Sequence, residues 1–439
     1  MIFDYLFLIS ACVVLLSILY LFFKRHGVSI SRKVIQFSNI TSNVTNSKAN
    51  NCLVIHVSSG SINVALASLA KNKPLDFIYS MSVPFIGERP TDSKLLPEMI
   101  GILDSSIKEV IKKGFLKNNV KDRRISHAVI SLSSPWFILK TKKINLTKES
   151  PFTITKTFIN SILSDEESRF KEELSGKASD TSHDYIVIEK SIVHTKINGY
   201  SVVDIMNKRT RSLEAYVYVS AISKLVDDAV MGVISKNTHL GREDVMIHSF
   251  PLVLFSSIRD FSSSDANFLI INISSEVTDI VLVRDQIIES TTSFSFGKNT
   301  IIRELSKQFK VSLEIAESQL SMYLSEKTDA SVSNSMQNIL VELEKEWSTH
   351  LTSALLVVSP NSNYPKKTFL FVKKNISPIF LKLLESGSEG SIPTFRKNIQ
   401  IIEIDESIFK DEYEAVAKIQ VDIALIALAV FHNKLFQIQ

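Results

Sequence analysis

The sequence predicts an α/β protein of two related lobes carrying a small insert, set behind one membrane-spanning segment. Three observations lead there. The hydrophobic period switches repeatedly between 2 and 3.6 residues, one strand-turn-strand pattern occurs twice, and the chain opens on an unbroken apolar run. With 439 residues, 45% hydrophobic and 22% charged, the chain has apolar surface for more than one core. Lys+Arg 50 against Asp+Glu 46 leaves a net charge of +4, too little over this length for a polyanion-binding surface, so no nucleic-acid partner is expected. Cys12 and Cys52 cannot build a disulfide framework or a cysteine zinc site, and no histidines stand at ligand spacing, so no metal site is expected. Only 12 residues are glycine, and phosphate-cradling loops depend on glycine for close backbone approach, which argues against a rich nucleotide site.

The elements follow in order. Tyr5 to Phe23 (YLFLISACVVLLSILYLFF) carries no charge and nearly matches a hydrocarbon layer of ~30 Å, which predicts a spanning helix within an anchor of residues 1–27. Lys24, Arg25 and His26 follow it, so the positive-inside bias puts the N-terminus outside and the rest of the chain in the cytoplasm. An export signal is the rival reading, since Ile9-Ser10-Ala11-Cys12 is like a lipoprotein cleavage box, but the apolar run continues past it. Residues 28–50, rich in Ser, Asn and Thr, read as a flexible linker. Asn51 to Leu69 and Asp76 to Val83 read as strands, and Leu96 to Ile111 as an amphipathic helix. His127 to Leu132 is strand-like. Asn198-Gly199 marks a hairpin followed by the strand Leu213 to Val219, then the helix Lys224 to Ser235 and the strand Asp244 to Ile247. Phe268 to Val283 repeats the design of residues 52–69. Helices Thr300 to Phe309, Leu313 to Leu324 and Met336 to Leu356, strands Thr368 to Val372 and Ile399 to Ile404, and a helix from Tyr413 to Phe431 complete the reading.

The two echoing turns carry a resemblance. The second reads Ile271-Asn272-Ile273-Ser274-Ser275-Glu276-Val277-Thr278-Asp279, followed by Phe294-Ser295-Phe296-Gly297 and later by Ala316-Glu317 in a helix. These resemble the phosphate-binding hairpins of the actin-like ATPase superfamily, patterned V-D-I-G-x-x-T-T-D with a later P-x-G-G. The placement of residues 125–220 is similar to the SHS2 insert of the cell-division protein FtsA and the pilus-assembly protein PilM. The resemblance implies an actin-like (ribonuclease H-like) two-lobed fold: a first subdomain at 51–124, the insert at 125–222, and a second subdomain at 223–439 whose outer helical part is 300–365.

By the same resemblance the nucleotide positions are His56, Ser58 and Ser59 in the first hairpin, Asn272, Ser274, Thr278 and Asp279 in the second, then Gly297, Glu317 and Lys373. In the family an aspartate in each hairpin holds magnesium. Here those positions are His56 and Asn272, and neither suits a hard cation. Ser58 and Ser274 replace glycines, Lys373-Lys374 replaces the adenosine-side glycine pair, and Leu320 stands where lysine is common. The parts that position a phosphoryl group are therefore vestigial. The resemblance implies a membrane-bound adaptor, a pseudo-ATPase without catalytic residues or cofactor, whose partners are proteins of cell division or type IV pilus assembly or other copies of itself. Residues 125–222 and 300–365 are the implied docking surfaces. A weak ATP-binding or hydrolysing polymer subunit is the alternative.

Several residues keep two readings. Asp279 is a surviving magnesium-side carboxylate or a turn residue bonding its own backbone. His56 is a general base or a satisfied structural histidine, and the second is favoured. Ser133 and Ser134 lack a nucleophile elbow. Lys112-Lys113, Lys117, Lys121 and Arg123-Arg124 read as a solvated helix end ahead of an anionic-lipid contact. Asp165 to Glu173 reads as a wet helix face, and Trp136-Phe137 as an exposed contact or as core.

Overall fold

The computed structural model describes residues 51–68, 75–85, 92–117, 123–177, 184–202, 204–262, 265–386, 399–409, 413–414 and 419–438. The expected anchor Tyr5 to Phe23, the linker 28–50 and Lys121 lie outside them. Among the described residues no helix is long and apolar enough to cross a membrane.

β1 (Asn51–Val57), β2 (Ser61–Ser68) and β3 (Leu75–Pro84) form an antiparallel meander. After α1 (Asp92–Lys117), β4 (His127–Leu132) returns parallel to β1. The insert follows: β5 (Ile138–Thr153), α2 (Lys156–Lys177), β6 (Tyr185–Ile197), β7 (Tyr200–Ser201) and β8 (Arg209–Ser223). α3 (Lys224–Thr238) leads to β9 (Val245–Ser249), parallel to β4, and then to α4 (Phe250–Phe261). The second meander is β10 (Phe268–Ile273), β11 (Thr278–Arg284) and β12 (Ile287–Phe294). Helices α5 (Lys298–Phe309), α6 (Leu313–Leu324) and α7 (Ala330–Val358) precede β13 (Lys367–Val372), α8 (Ser377–Ser386), β14 (Gln400–Glu403), β15 (Tyr413–Glu414) and α9 (Ile423–Ile438).

The echo in the sequence is a duplicated topology. One sheet runs β15-β3-β2-β1-β4-β9 and the other β12-β11-β10-β13-β14. Apart from β15, each is a three-stranded antiparallel meander extended by two parallel strands on the side of its first strand. β1 and β10 are buried at every position, as central strands covered on both faces must be. In the first lobe α1 and α3 pack on Leu53, Ile55 and Val57, while α9 crosses the opposite face of β1 and β4 and packs on α4. In the second lobe α5, α7 and α8 close over Leu269, Ile271 and Leu370, with Trp347 at the centre.

The insert has its own sheet, β5-β8-β6-β7, and its own core of Ile159, Leu163, Phe170, Leu213 and Val217. Asn198 and Gly199 both have positive φ (50° and 83°), the turn the Asn-Gly pair predicts. Glu189 on β6 is buried and accepts from Ser220 Oγ (2.5 Å), Ser249 Oγ (2.5 Å), Ser249 N (3.2 Å) and His248 Nδ1 (2.9 Å). One carboxylate thus ties the insert to β9 through charge-assisted bonds.

The structure corrects the sequence reading in five places. The insert starts at Ile138, because His127–Leu132 pairs within the first sheet, and α3, β9, α4, β15 and α9 also belong with that sheet. The acidic face of α2 is not simply wet: Glu166, Glu167 and Glu173 meet Lys142 (3.3 Å), Lys190 (2.5 Å) and Lys140 (2.5 Å) of the insert sheet. α4 is unforeseen, because Phe250, Leu252, Val253, Leu254 and Phe255 are all buried and leave no polar stripe to mark a period. α7 starts at Ala330, ahead of the expected Met336. The last helix starts at Ile423, not Tyr413, with Asp422 Oδ1 accepting from Ala424 N (2.9 Å) as an N-cap.

Candidate functional site

Two hairpin turns meet between the lobes. Ser58-Ser59-Gly60 joins β1 to β2, and Ser274 to Val277 joins β10 to β11. Ser59 Oγ lies 2.7 Å from Ser274 Oγ and accepts from Glu276 N (2.9 Å). A methyl group added at Gly60 would lie 2.4 Å from Ser275 Cβ, and one at Gly297 would lie 2.5 Å from Ser274 O and Ser275 O. Two glycines therefore clasp the second turn, one from each lobe. Close backbone approach is spent on protein-protein packing.

Behind this contact lies a cavity of about 50 Å³, lined by His56, Ser58, Asn272, Ser274, Lys298 and Lys373 among others. A water needs ~10–15 Å³ by this measure, while ligand pockets begin near ~300 Å³. This part of the cleft suits a few solvent molecules; it adjoins a cavity of about 980 Å³ that shares Val372, Lys373, Asp422 and Ile423 with it.

His56 Nδ1 is 2.8 Å from Ser131 Oγ, and its ring stands 4.3 Å from that of Phe250. Burial, and then the positive charge of Lys373, pull the imidazole down to about 3, so it is neutral at pH 7. It is a structural histidine bonded within its own lobe. Asn272 Nδ2 donates to Asp279 Oδ2 (3.0 Å). Asp279 sits on β11 rather than in a turn, and burial lifts its carboxyl to about 6 against the opposing hydrogen bonds of Ser134 and Asn272. Thr278 Oγ1 donates to Phe296 O (2.7 Å), and Gly297 is the N-cap of α5. Glu317 is engaged by Lys298 Nζ (2.6 Å), and Leu320 is core.

Of the sequence-derived positions, His56, Ser58, Asn272, Ser274 and Lys373 line this cavity and Ser59 joins the two turns, while Thr278, Asp279, Gly297 and Glu317 are not part of its lining. Four partners escaped sequence reasoning. Lys298 occupies Glu317, Arg303 forms a bidentate pair with Glu276 (2.8 and 2.6 Å), Asn299 adds a third bond to Glu276 (2.8 Å), and Asp422 lines the cavity. None has a local motif. Trp136 is core, and its Nε1 donates to Ser58 O (3.1 Å). Lys112 and Lys113 stand solvated on α1.

No family model matches this chain, and no curated protein matches it. Among solved structures, PilM in the PilM-PilN type IV pilus biogenesis complex superposes with a TM-score of 0.54 at 13% identity, covering 88% of this chain and 98% of that one. The fold is that of the actin-like ATPases. EutJ, an ethanolamine utilization protein from Carboxydothermus hydrogenoformans, has a TM-score of 0.43 at 8% identity, covering 90% and 98%. A protein of actin-like ATPase fold and unknown function from Bacteroides thetaiotaomicron has a TM-score of 0.40 at 10% identity, covering 90% and 98%. In this actin-like body the cleft lies where the first turns of the two duplicated sheets converge.

Proposed function

We propose that this chain is a membrane-anchored scaffold of the FtsA and PilM kind, a pseudo-ATPase whose actin-like body recruits partner proteins in division or pilus assembly. The observation that carries the reading is the direct hydrogen bonding between the two hairpin turns, which the resemblance makes the phosphate-binding turns. The neutral side chains of His56 and Asn272 support it, because phosphoryl transfer is positioning plus charge neutralisation around a divalent ion. The apolar segment Tyr5 to Phe23 supplies the anchor, with the body on the cytoplasmic side. The insert and the helices α5 to α7 are the docking surfaces of this reading, because each carries its own packed core and can present a rigid face.

The test is calorimetric titration of the full chain in detergent micelles with magnesium-ATP. No saturable heat is expected up to millimolar nucleotide. Micromolar affinity would overturn the reading in favour of an ATP-gated polymer subunit.

A further inference from the structure

Three side chains that are far apart in sequence meet beneath α9. Cys52 lies near the start of β1 and His127 starts β4, and the parallel register sets them directly opposite one another. α9 lays His432 over the same place, with its ring centroid 4.9 Å from that of His127. The sulfur of Cys52 and one nitrogen of each ring all lie within 4.8 Å of one another. All three residues are buried, at 0%, 2% and 1% exposure.

We infer that Cys52, His127 and His432 form a binding site for one soft d10 cation, Cu⁺ or Zn²⁺. The donor set is one thiolate and two imidazoles, which soft and borderline cations prefer and which magnesium or calcium do not. The separation is close to what coordination needs. Bonds of ~2.0–2.3 Å place ligand atoms roughly 3.5–4 Å apart, so the three converge by small side-chain rotations. A second observation orients one ligand. Ser126 Oγ engages His127 Nδ1 at 2.8 Å, which assigns ligation to Nε2, and ligating histidines are typically fixed through their other nitrogen in this way. Buried His248, held by Glu189, stands near His432, and the rest of the surroundings are apolar: Val54, Val129 and Leu428 are buried on the same elements. An interior that needed only volume would be filled with such side chains here too.

Charge and coordination number favour Cu⁺ of the two. Loading expels the thiol proton to solvent, so a thiolate with a monovalent ion is neutral, whereas Zn²⁺ leaves one positive charge in a buried site. Structural Zn²⁺ is almost always four-coordinate, and three ligands meet here. The bound ion pins α9 to the two central strands of the first lobe.

The test uses the full chain purified in detergent under reducing conditions. After chelation and reloading with Cu⁺ or Zn²⁺, elemental analysis is expected to find about one equivalent per chain, with a higher thermal midpoint than the stripped protein. Cys52→Ser and His127→Gln are expected to lose that equivalent, and Cys12→Ser to keep it. X-ray absorption on the loaded wild type should give one sulfur and two nitrogen neighbours, a readout that survives even if the core variants fail to fold. Substoichiometric metal with no thermal shift, equal retention in Cys52→Ser and His127→Gln, or an all-oxygen shell would each overturn the inference.

Discussion

The two hairpins occupy equivalent places in their sheets and solve the same electrostatic problem differently. In β1 and β2 the cross-strand pair nearest the turn that carries polar side chains is His56 with Asn63, and in β10 and β11 it is Asn272 with Asp279. The first pair turns outward to its own lobe: His56 meets Ser131, and Asn63 accepts from Ser82 Oγ (2.6 Å). The second pair closes on itself through the Asn272–Asp279 bond. One lobe therefore lines the cavity with an imidazole kept neutral by burial, the other with the Asn272 amide, which is bonded to the buried Asp279 carboxyl. The duplicated strand order thus carries a different polar pair at the equivalent place in each sheet.

Acid should separate the two most strongly. His56 titrates at about 3 in the fold and near 6.5 unfolded, so the unfolded chain binds its proton first and the stability it contributes disappears as pH falls from 6.5 towards 3. The shift corresponds to a loss on the order of 5 kcal/mol. His56→Gln is expected to flatten the acid limb of a urea-denaturation series over that window, and an unchanged slope would mean the imidazole is already protonated in the fold. Asp279 has the opposite dependence. Its folded value of about 6 lies above its unfolded 3.8, so its contribution is intact below pH 4 and lost as pH rises through 6. Asp279→Asn, which keeps an acceptor for Asn272, should therefore gain about 3 kcal/mol at pH 8 and nothing at pH 3.5. Equal gains at both pH values would rule out burial as the cause. The contact between the hairpins gives the smallest effect. Gly60→Ala forces a methyl into Ser275, and overpacking of this kind costs about 2 kcal/mol, measurable as a lower denaturation midpoint with unchanged m-value. A neutral outcome would show that the turns part easily.

Local features were legible and distant ones were not. His127–Leu132, the Asn198-Gly199 turn and the end points of α6 could be read directly, because each is written in a single run of period or in one turn pair. β5 was not foreseen, since none of its sixteen residues is fully buried and lysines interrupt the apolar alternation on a sheet with one wet face. The two hairpins were legible because both keep the strand-turn-strand pattern. Their closure was hidden, because Ser59 and Ser274 are 215 positions apart and serine beside serine carries no signal. The same holds for Cys52, His127 and His432: a ligand set drawn from three elements has no spacing to recognise.

The return of α9 to the first lobe sets an order of events during synthesis. β10 to β14 and the helices between them form one uninterrupted stretch that carries its entire sheet, so a nascent chain can complete that half as soon as it clears the ribosome. β1, made earlier, keeps one face uncovered until α9 emerges. The half translated first is thus the half finished last, and a premature stop codon near residue 420 would strike the strands farthest from it along the message.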